Sequence, residues 1–191
     1  MSMARAVMGL LCLLACAAAP AQPASLRQVA LRDQQAQAMS ADALRGHVVL
    51  LHFVFTGCSA TCPTQVRELA WVLDALPPSA REAVRFVSVS LDPHDTPATL
   101  AAFARQHGAD RAGWQFASGR PADIDRLAAR LLAFDPSKAG PALGDHRTSL
   151  FVYDRRGDLV QRYAGVPVDG PRLQRELTQL ALHPPTSARQ P

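Results

Sequence analysis

The sequence predicts an α/β domain in which a central mixed, mostly parallel sheet is flanked by helices and followed by a β-hairpin and a C-terminal helix. Two observations carry this. Val48-Val49-Leu50-Leu51-His52-Phe53-Val54-Phe55 is an almost unbroken β-prone apolar run, the pattern of a strand buried on both faces. Beyond it, stretches with helical apolar spacing alternate with short β-prone runs, as in successive βαβ units.

Each element has its own signal. Pro63 to Leu76 carries Val66, Leu69, Ala70 and Leu73 on one helical face and stops at Pro77-Pro78. Val84 to Leu91 reads as a strand, Pro97 to Gln106 as a helix, Trp114 to Ala117 as a short strand and Ala122 to Leu132 as a helix. After a loop from Phe134 to Asp145, the strands Ser149 to Tyr153 and Leu159 to Tyr163 flank Asp154-Arg155-Arg156-Gly157-Asp158, a hairpin in which Gly157 supplies a positive φ. A last helix from Pro171 to Leu182 closes the domain, and the proline-rich segment 183–191 reads as a loose tail. No internal repeat or composition break calls for a second domain.

Composition sets outer bounds. A chain of 191 residues, 48% hydrophobic and 19% charged, can bury a core of its own, which excludes disorder, collagen-like repeats and a small disulfide scaffold. The net charge of +4 comes from 19 arginines and the single lysine Lys138, scattered along the chain and not massed in a stripe, so nucleic acid is not an expected partner.

Residues 1–21 read as an export signal. One positive charge at Arg5 precedes the uncharged run Ala6 to Ala19, which is too short for a hydrocarbon core that needs about 20 residues, and Ala19-Pro20-Ala21 supplies a small-x-small cleavage site. Leu13-Leu14-Ala15-Cys16 also resembles a bacterial lipobox, in which the cysteine would be lipidated and give the only membrane attachment. Either route discards Cys12, and the folded domain, about 25–182, keeps one cysteine pair, Cys58 and Cys62, where thiols can be oxidised.

That pair lies in Phe55-Thr56-Gly57-Cys58-Ser59-Ala60-Thr61-Cys62-Pro63, where the buried strand ends and the first long helix begins. The carboxyl ends of strands are where α/β sheets bind ligands. The i, i+4 spacing lets two sulfurs converge, and a helix N-terminus favours thiolates, so both cysteines are expected to ionise readily. Disulfide exchange and soft-metal binding both fit this arrangement. Three intervening residues depart from the two of thioredoxin-like oxidoreductases.

A metal needs another ligand. Of the six histidines, His52 sits inside the strand run and reads as core, while His47, His107 and His183 read as surface residues. His146, in Gly144-Asp145-His146-Arg147-Thr148, stands where a long loop can fold over the strand tops toward the cysteines.

Three successive blocks resemble the signatures of the Sco/SenC family: Phe53-Val54-Phe55-Thr56-Gly57-Cys58-Ser59-Ala60-Thr61-Cys62-Pro63, then Val87 to Pro97, then Asp145-His146-Arg147-Thr148-Ser149-Leu150-Phe151-Val152-Tyr153-Asp154 with Gly157. The resemblance implies a thioredoxin-like fold, a protein soluble or lipid-anchored in the bacterial periplasm, and copper binding in the service of the dinuclear copper centre of cytochrome c oxidase. The implied partners are the copper-bearing oxidase subunit and a small periplasmic copper donor. The family's metal ligands match Cys58, Cys62 and His146, and two thiolates with an imidazole suit both Cu(I) and Cu(II).

An alternative role is thiol–disulfide oxidoreductase, which keeps target cysteines reduced, with Cys58 and Cys62 as the redox pair and Cys58 attacking first. Arg147 occupies the slot before Thr148 where such enzymes carry a cis-proline, which leans toward metal. Electron transfer fits less well, because an open three-ligand site reorganises on redox change. The acidic loop Asp92-Pro93-His94-Asp95-Thr96-Pro97 is one residue shorter between its aspartates than the family pattern. Helix capping by Asp95 or Thr96 ahead of Pro97 is the expected role there, with His94 ranked below His146 as an added ligand.

Overall fold

The computed structural model describes residues 30–183. The leader with Cys12 and Cys16, the domain start at Ser25 and residues 184–191 lie outside the described residues. Seven strands, β1 (Leu31–Asp33), β2 (Ala38–Met39), β3 (Val48–Val54), β4 (Val84–Ser90), β5 (Trp114–Gly119), β6 (Leu150–Tyr153) and β7 (Leu159–Tyr163), form one sheet in the order β2-β1-β5-β4-β3-β6-β7. Five helices surround it: α1 (Thr61–Ala75), α2 (Pro78–Glu82), α3 (Pro97–Gln106), α4 (Pro121–Arg130) and α5 (Gly170–Leu182).

The expected α/β class holds, with parallel pairing narrower than expected. Only β3·β4 and β4·β5 run parallel, while β1·β2, β1·β5, β3·β6 and β6·β7 are antiparallel. Crossover helices α1 and α3 make the parallel centre, because parallel neighbours need a long return. The hairpin β6–β7 and the short hairpin β1–β2 then close the two edges with antiparallel strands. Gly157 has φ +85° in the β6–β7 turn, as its hairpin position requires.

Strand β3 is buried at every position, and its alternation separates two cores. Val48, Leu50 and Val54 face α1, α3 and α5 with Val66, Leu69, Leu100, Phe103, Leu173 and Leu177. Val49, Leu51 and Phe53 face α4 with Ile124, Leu127 and Leu131. His52 has the parity of the first set, so its imidazole enters the α1 side of the sheet. The expected core role of His52 stands, since it is fully buried.

The carboxyl ends of β3 and β4 carry the loops of interest. Helix α1 begins at Thr61, two residues earlier than its apolar spacing suggested, with Ala60 as a cap that offers no side-chain bond. Pro63 is tolerated in this first turn because the first amides have no intrahelical acceptor. Helix α3 starts at Pro97 behind Thr96, whose hydroxyl accepts from the Thr99 amide in a capping box. Thr96 is therefore the cap, and Asp95 is not.

Candidate metal centre

Cys58 lies in the turn between β3 and α1, outside the helix, and Cys62 occupies the helix's first turn. The Cys58 amide donates to the Phe55 carbonyl at 3.1 Å, and the Cys62 amide donates to the Cys58 sulfur at 3.3 Å. Both cysteines are free; Cys58 is half-buried and Cys62 is buried. Convergence of the sulfurs thus follows the expectation, while its cause differs: the turn before the helix folds Cys58 back over the first helical amides.

The two thiols are not equivalent. Burial pushes Cys58 up, but donation from the Cys62 side chain and from the backbones of Cys62, Ala60 and Thr61 outweighs it, so the Cys58 thiol lies below its ordinary value. Cys62 is pushed up to about 12, by burial first and then by its hydrogen bond to Cys58, with partial relief from the Phe55 backbone. The expectation that both cysteines ionise readily fails for Cys62. The helix terminus spends its amides on the sulfur outside the helix, and the sulfur inside sits against the core.

His146 follows the short 3-10 turn Leu143–Asp145 and is buried. Its Nδ1 lies 2.7 Å from the Leu143 carbonyl oxygen. A carbonyl only accepts, so Nδ1 carries the proton and Nε2 is left with its lone pair. That Nε2 is buried and has no hydrogen-bond partner. The ring meets Phe55 edge-on, with centroids 5.7 Å apart. Phe55 is the link here, because its backbone holds Cys58 and its ring abuts His146.

Among the described residues, no three His, Cys, Asp or Glu side chains are gathered closely enough to hold a metal ion. The structure joins Cys58 to Cys62 and sets His146 against Phe55, without closing the three into one coordination sphere. The donor set nevertheless fits a soft metal. A thiol favoured as thiolate and a buried imidazole nitrogen with an unspent lone pair are the groups copper takes, and the carbonyl that fixes the tautomer is the outer partner such a ligand uses.

The other candidates separate clearly. His47 bonds the Arg45 carbonyl, His107 packs on Phe103 with centroids 4.5 Å apart, and His183 is exposed at the end of α5. His94 is exposed in the acidic loop, its amide capped by Asp92. Asp95 points inward. It accepts from the Thr56 amide at 3.0 Å, the Thr56 hydroxyl at 2.5 Å and the Ser90 hydroxyl at 2.5 Å, so it fastens the cysteine loop to the end of β4. Sequence reasoning missed this role because Pro97, two residues on, made capping the nearer explanation. It also missed Gln65, a polar residue on the buried face of α1, three positions past Cys62 and 1% exposed. An uncharged polar side chain on an apolar helical face must find partners, and that was the available signal.

Comparison with known proteins agrees with this geometry. Residues 18–181 match the family model for SCO1/SenC. The chain belongs to the SCO1/SenC family. A Stutzerimonas stutzeri relative named for copper binding is 31% identical over 160 residues, covering 82% of this chain and 76% of its own. Among solved structures, Bradyrhizobium japonicum ScoI with copper bound is 26% identical at TM-score 0.66, with 80% of this chain and 96% of that chain covered. A SCO1/SenC family lipoprotein from Bacillus anthracis is also 26% identical, at TM-score 0.68, with 80% and 92% covered. The thioredoxin-like fold expected from the sequence is the fold of these Sco neighbours. Among the described residues of this family member, no helix is long and apolar enough to cross a membrane.

Proposed function

We propose that this SCO1/SenC protein is an exported copper carrier that hands copper to the copper-bearing subunit of cytochrome c oxidase, taking its cargo from a small periplasmic donor. Cys58, Cys62 and His146 are the ligands. The observation that carries the reading is the buried, unpartnered Nε2 of His146, with its Nδ1 proton held by Leu143, near the turn and first helical residues that carry two free thiols. The names of the Stutzerimonas and Bradyrhizobium relatives support the choice of copper. We place the domain at 25–182, in the periplasm, behind a signal at 1–21 that is cleaved or lipidated at Cys16; the Bacillus anthracis lipoprotein supports the anchored form.

Capture begins at Cys58, whose thiol ionises more easily than an ordinary cysteine. Cys62 gives up its proton on joining, because a thiol ligates a soft cation as thiolate. His146 presents Nε2 as its ligand atom, because Nδ1 donates to the Leu143 carbonyl. Three ligands from two segments leave a position through which a recipient's ligands can enter. The test is Cu(I) titration of the reduced protein beside Cys58→Ser, Cys62→Ser and His146→Ala. Each variant is expected to bind at least tenfold more weakly, with the cysteine variants losing tight binding altogether, and undiminished affinity in any of them refutes the three-ligand site.

The unequal thiols favour a second reading as a thiol–disulfide reductant. The Cys58 thiolate would attack a target disulfide and expel one target thiolate. Cys62, once deprotonated, would then attack Cys58 in the mixed disulfide and release the second target thiol, leaving Cys58 and Cys62 oxidised. Turnover of a disulfide substrate that is unaffected by His146→Ala would favour this reading over copper delivery.

A further inference from the structure

The core beneath the cysteine helix contains a chain of polar side chains that the proposed ligand set does not use. Trp114 Nε1 donates to Ser88 Oγ at 2.8 Å, and Ser88 Oγ lies 2.7 Å from His52 Nε2. His52 Nδ1 lies 2.9 Å from Gln65 Oε1. Gln65 Nε2 reaches the Thr148 carbonyl at 2.5 Å and the Gly165 carbonyl at 2.9 Å. Ser88 and His52 are register partners across β3 and β4, so the sheet itself sets the spacing.

The hydrogens in this chain admit one assignment. Two carbonyls face the same end of Gln65, so that end is the NH₂ and the other is the oxygen. An oxygen facing His52 Nδ1 requires Nδ1–H. His52 Nε2 is then the acceptor, and the Ser88 hydroxyl donates to it while accepting from the Trp114 indole. Every polar atom of the chain is satisfied, with no freedom to rotate.

Thr148 is two residues from His146, and Gln65 is one helical turn from Cys62. The segment after β7 is pressed into the same place: a Cβ at Gly165 would lie 1.3 Å from the Thr148 carbonyl oxygen and 2.2 Å from Gln65 Nε2. One carboxamide therefore ties the helix that bears Cys62 to the segment that bears His146, and a sheet-wide network fixes its orientation. We propose that Gln65 is a positioning residue that sets the His146 segment against the cysteine helix, held in register by His52, Ser88 and Trp114. This rests on the reading of Cys58, Cys62 and His146 as copper ligands.

Two measurements test it, in wild type, Gln65→Met and Gln65→Glu. The methionine keeps the volume and removes all three bonds. The glutamate, neutral when so buried, keeps an acceptor for His52 and one donor, and remains usable where the methionine variant fails to fold. In the metal-free protein, exchange of the His146 and Arg147 amides, which bond the Leu143 and Ala133 carbonyls, is expected to accelerate roughly tenfold in Gln65→Met, and less in Gln65→Glu, with β3 amides unchanged. Unchanged loop exchange, or an equal rise in β3, overturns the proposal.

The second measurement is Cu(I) affinity in a cycle with His146→Ala. The loss caused by Gln65→Met is expected to be several-fold and to vanish when His146 is already absent. A loss that persists in the His146→Ala background shows that Gln65 acts elsewhere and overturns the positioning role. Equal Cu(I) binding by wild type and His146→Ala would instead refute the ligand set, and the exchange measurement would still decide whether Gln65 clamps the loop.

Discussion

Asp95 offers the sharpest test of how the cysteine loop is held. Its side chain accepts three hydrogen bonds, two from Thr56 and one from Ser90, and the residue is 9% exposed. Asp95→Ala removes both acceptor oxygens and with them all three bonds. The two hydroxyls can turn to other partners, but the Thr56 amide is fixed by the backbone and is left without one. Hydrogen bonds to a carboxylate contribute about 1.5–3 kcal/mol each, and stranding the half-buried Thr56 amide falls at the low end of the cost of about 1–3 kcal/mol for a buried donor. With the hydroxyls discounted for rearrangement, the expected loss is about 2–4 kcal/mol, or a Tm lower by roughly 5–15 °C for a chain of this size. Urea unfolding followed by circular dichroism measures it, with Thr56→Val and the double variant completing a cycle. The cycle is expected to show at least about 0.5 kcal/mol of coupling, since the two side chains touch. A loss below about 0.5 kcal/mol, or strict additivity with Thr56→Val, would refute the clamp between the cysteine loop and β4.

Two further outcomes follow from the protonation states. Because the Cys58 thiol is lowered and Cys62 is pushed up to about 12, limited iodoacetamide labelling of the reduced protein near pH 8 is expected to modify Cys58 well before Cys62, as read by peptide mass spectrometry, and the reverse order would sink the assignment. His52 is lowered from 6.5 to about 4, chiefly by burial, against which its Gln65 bond works, with proximity to His146 lowering it further. The unfolded chain therefore binds the extra proton first, so the neutral His52 contributes stability that is whole above about pH 6.5 and is lost as pH falls toward 4. The depression corresponds to roughly 3 kcal/mol across that window. Unfolding free energies of wild type and His52→Gln between pH 7.5 and 4.5 are expected to converge as pH falls, and parallel curves would show that His52 does not drive the slope.

Much of the fold was legible because its strongest signals are local. The β3 run reads as a strand because both faces are buried, and α3 begins and ends where Pro97 and Gln106 were expected to bound it. The β6–β7 hairpin was marked by Gly157. Strands β1 and β2 have three and two residues, and α2 has five, all too short to show a period, so their existence depends on pairing with β5 or packing beside α5. The antiparallel pairing of β6 with β3 and of β1 with β5 was hidden for a similar reason, since apolar runs do not encode whether a neighbour is parallel.

At the site, residue types were legible and their states were not. Cys58, Cys62 and His146 stand out in the sequence by kind and spacing. Which sulfur keeps its proton depends on where the helix begins: Thr61 opens α1, so Cys62 enters the core and Cys58 receives the free amides. The role of Asp95 depends on Thr56, 39 positions away, and that of Gln65 on Thr148 and Gly165, 83 and 100 positions away. Local pattern carries none of these pairings.

The same asymmetry bears on how cargo would be both held and surrendered. A pair in which both thiols ionised freely would grip a cation as strongly before the recipient arrived as after. Here one proton must leave Cys62 on capture and is available to return on release, while the Cys58 thiol, lowered by the amides around it, gives up its proton more easily. Protonation of Cys62, whose thiol is pushed up to about 12, then opposes retention at neutral pH. On the copper reading, Cys62 is thus the ligand whose protonation competes directly with retention, and its depth in the first turn of α1 is the structural reason.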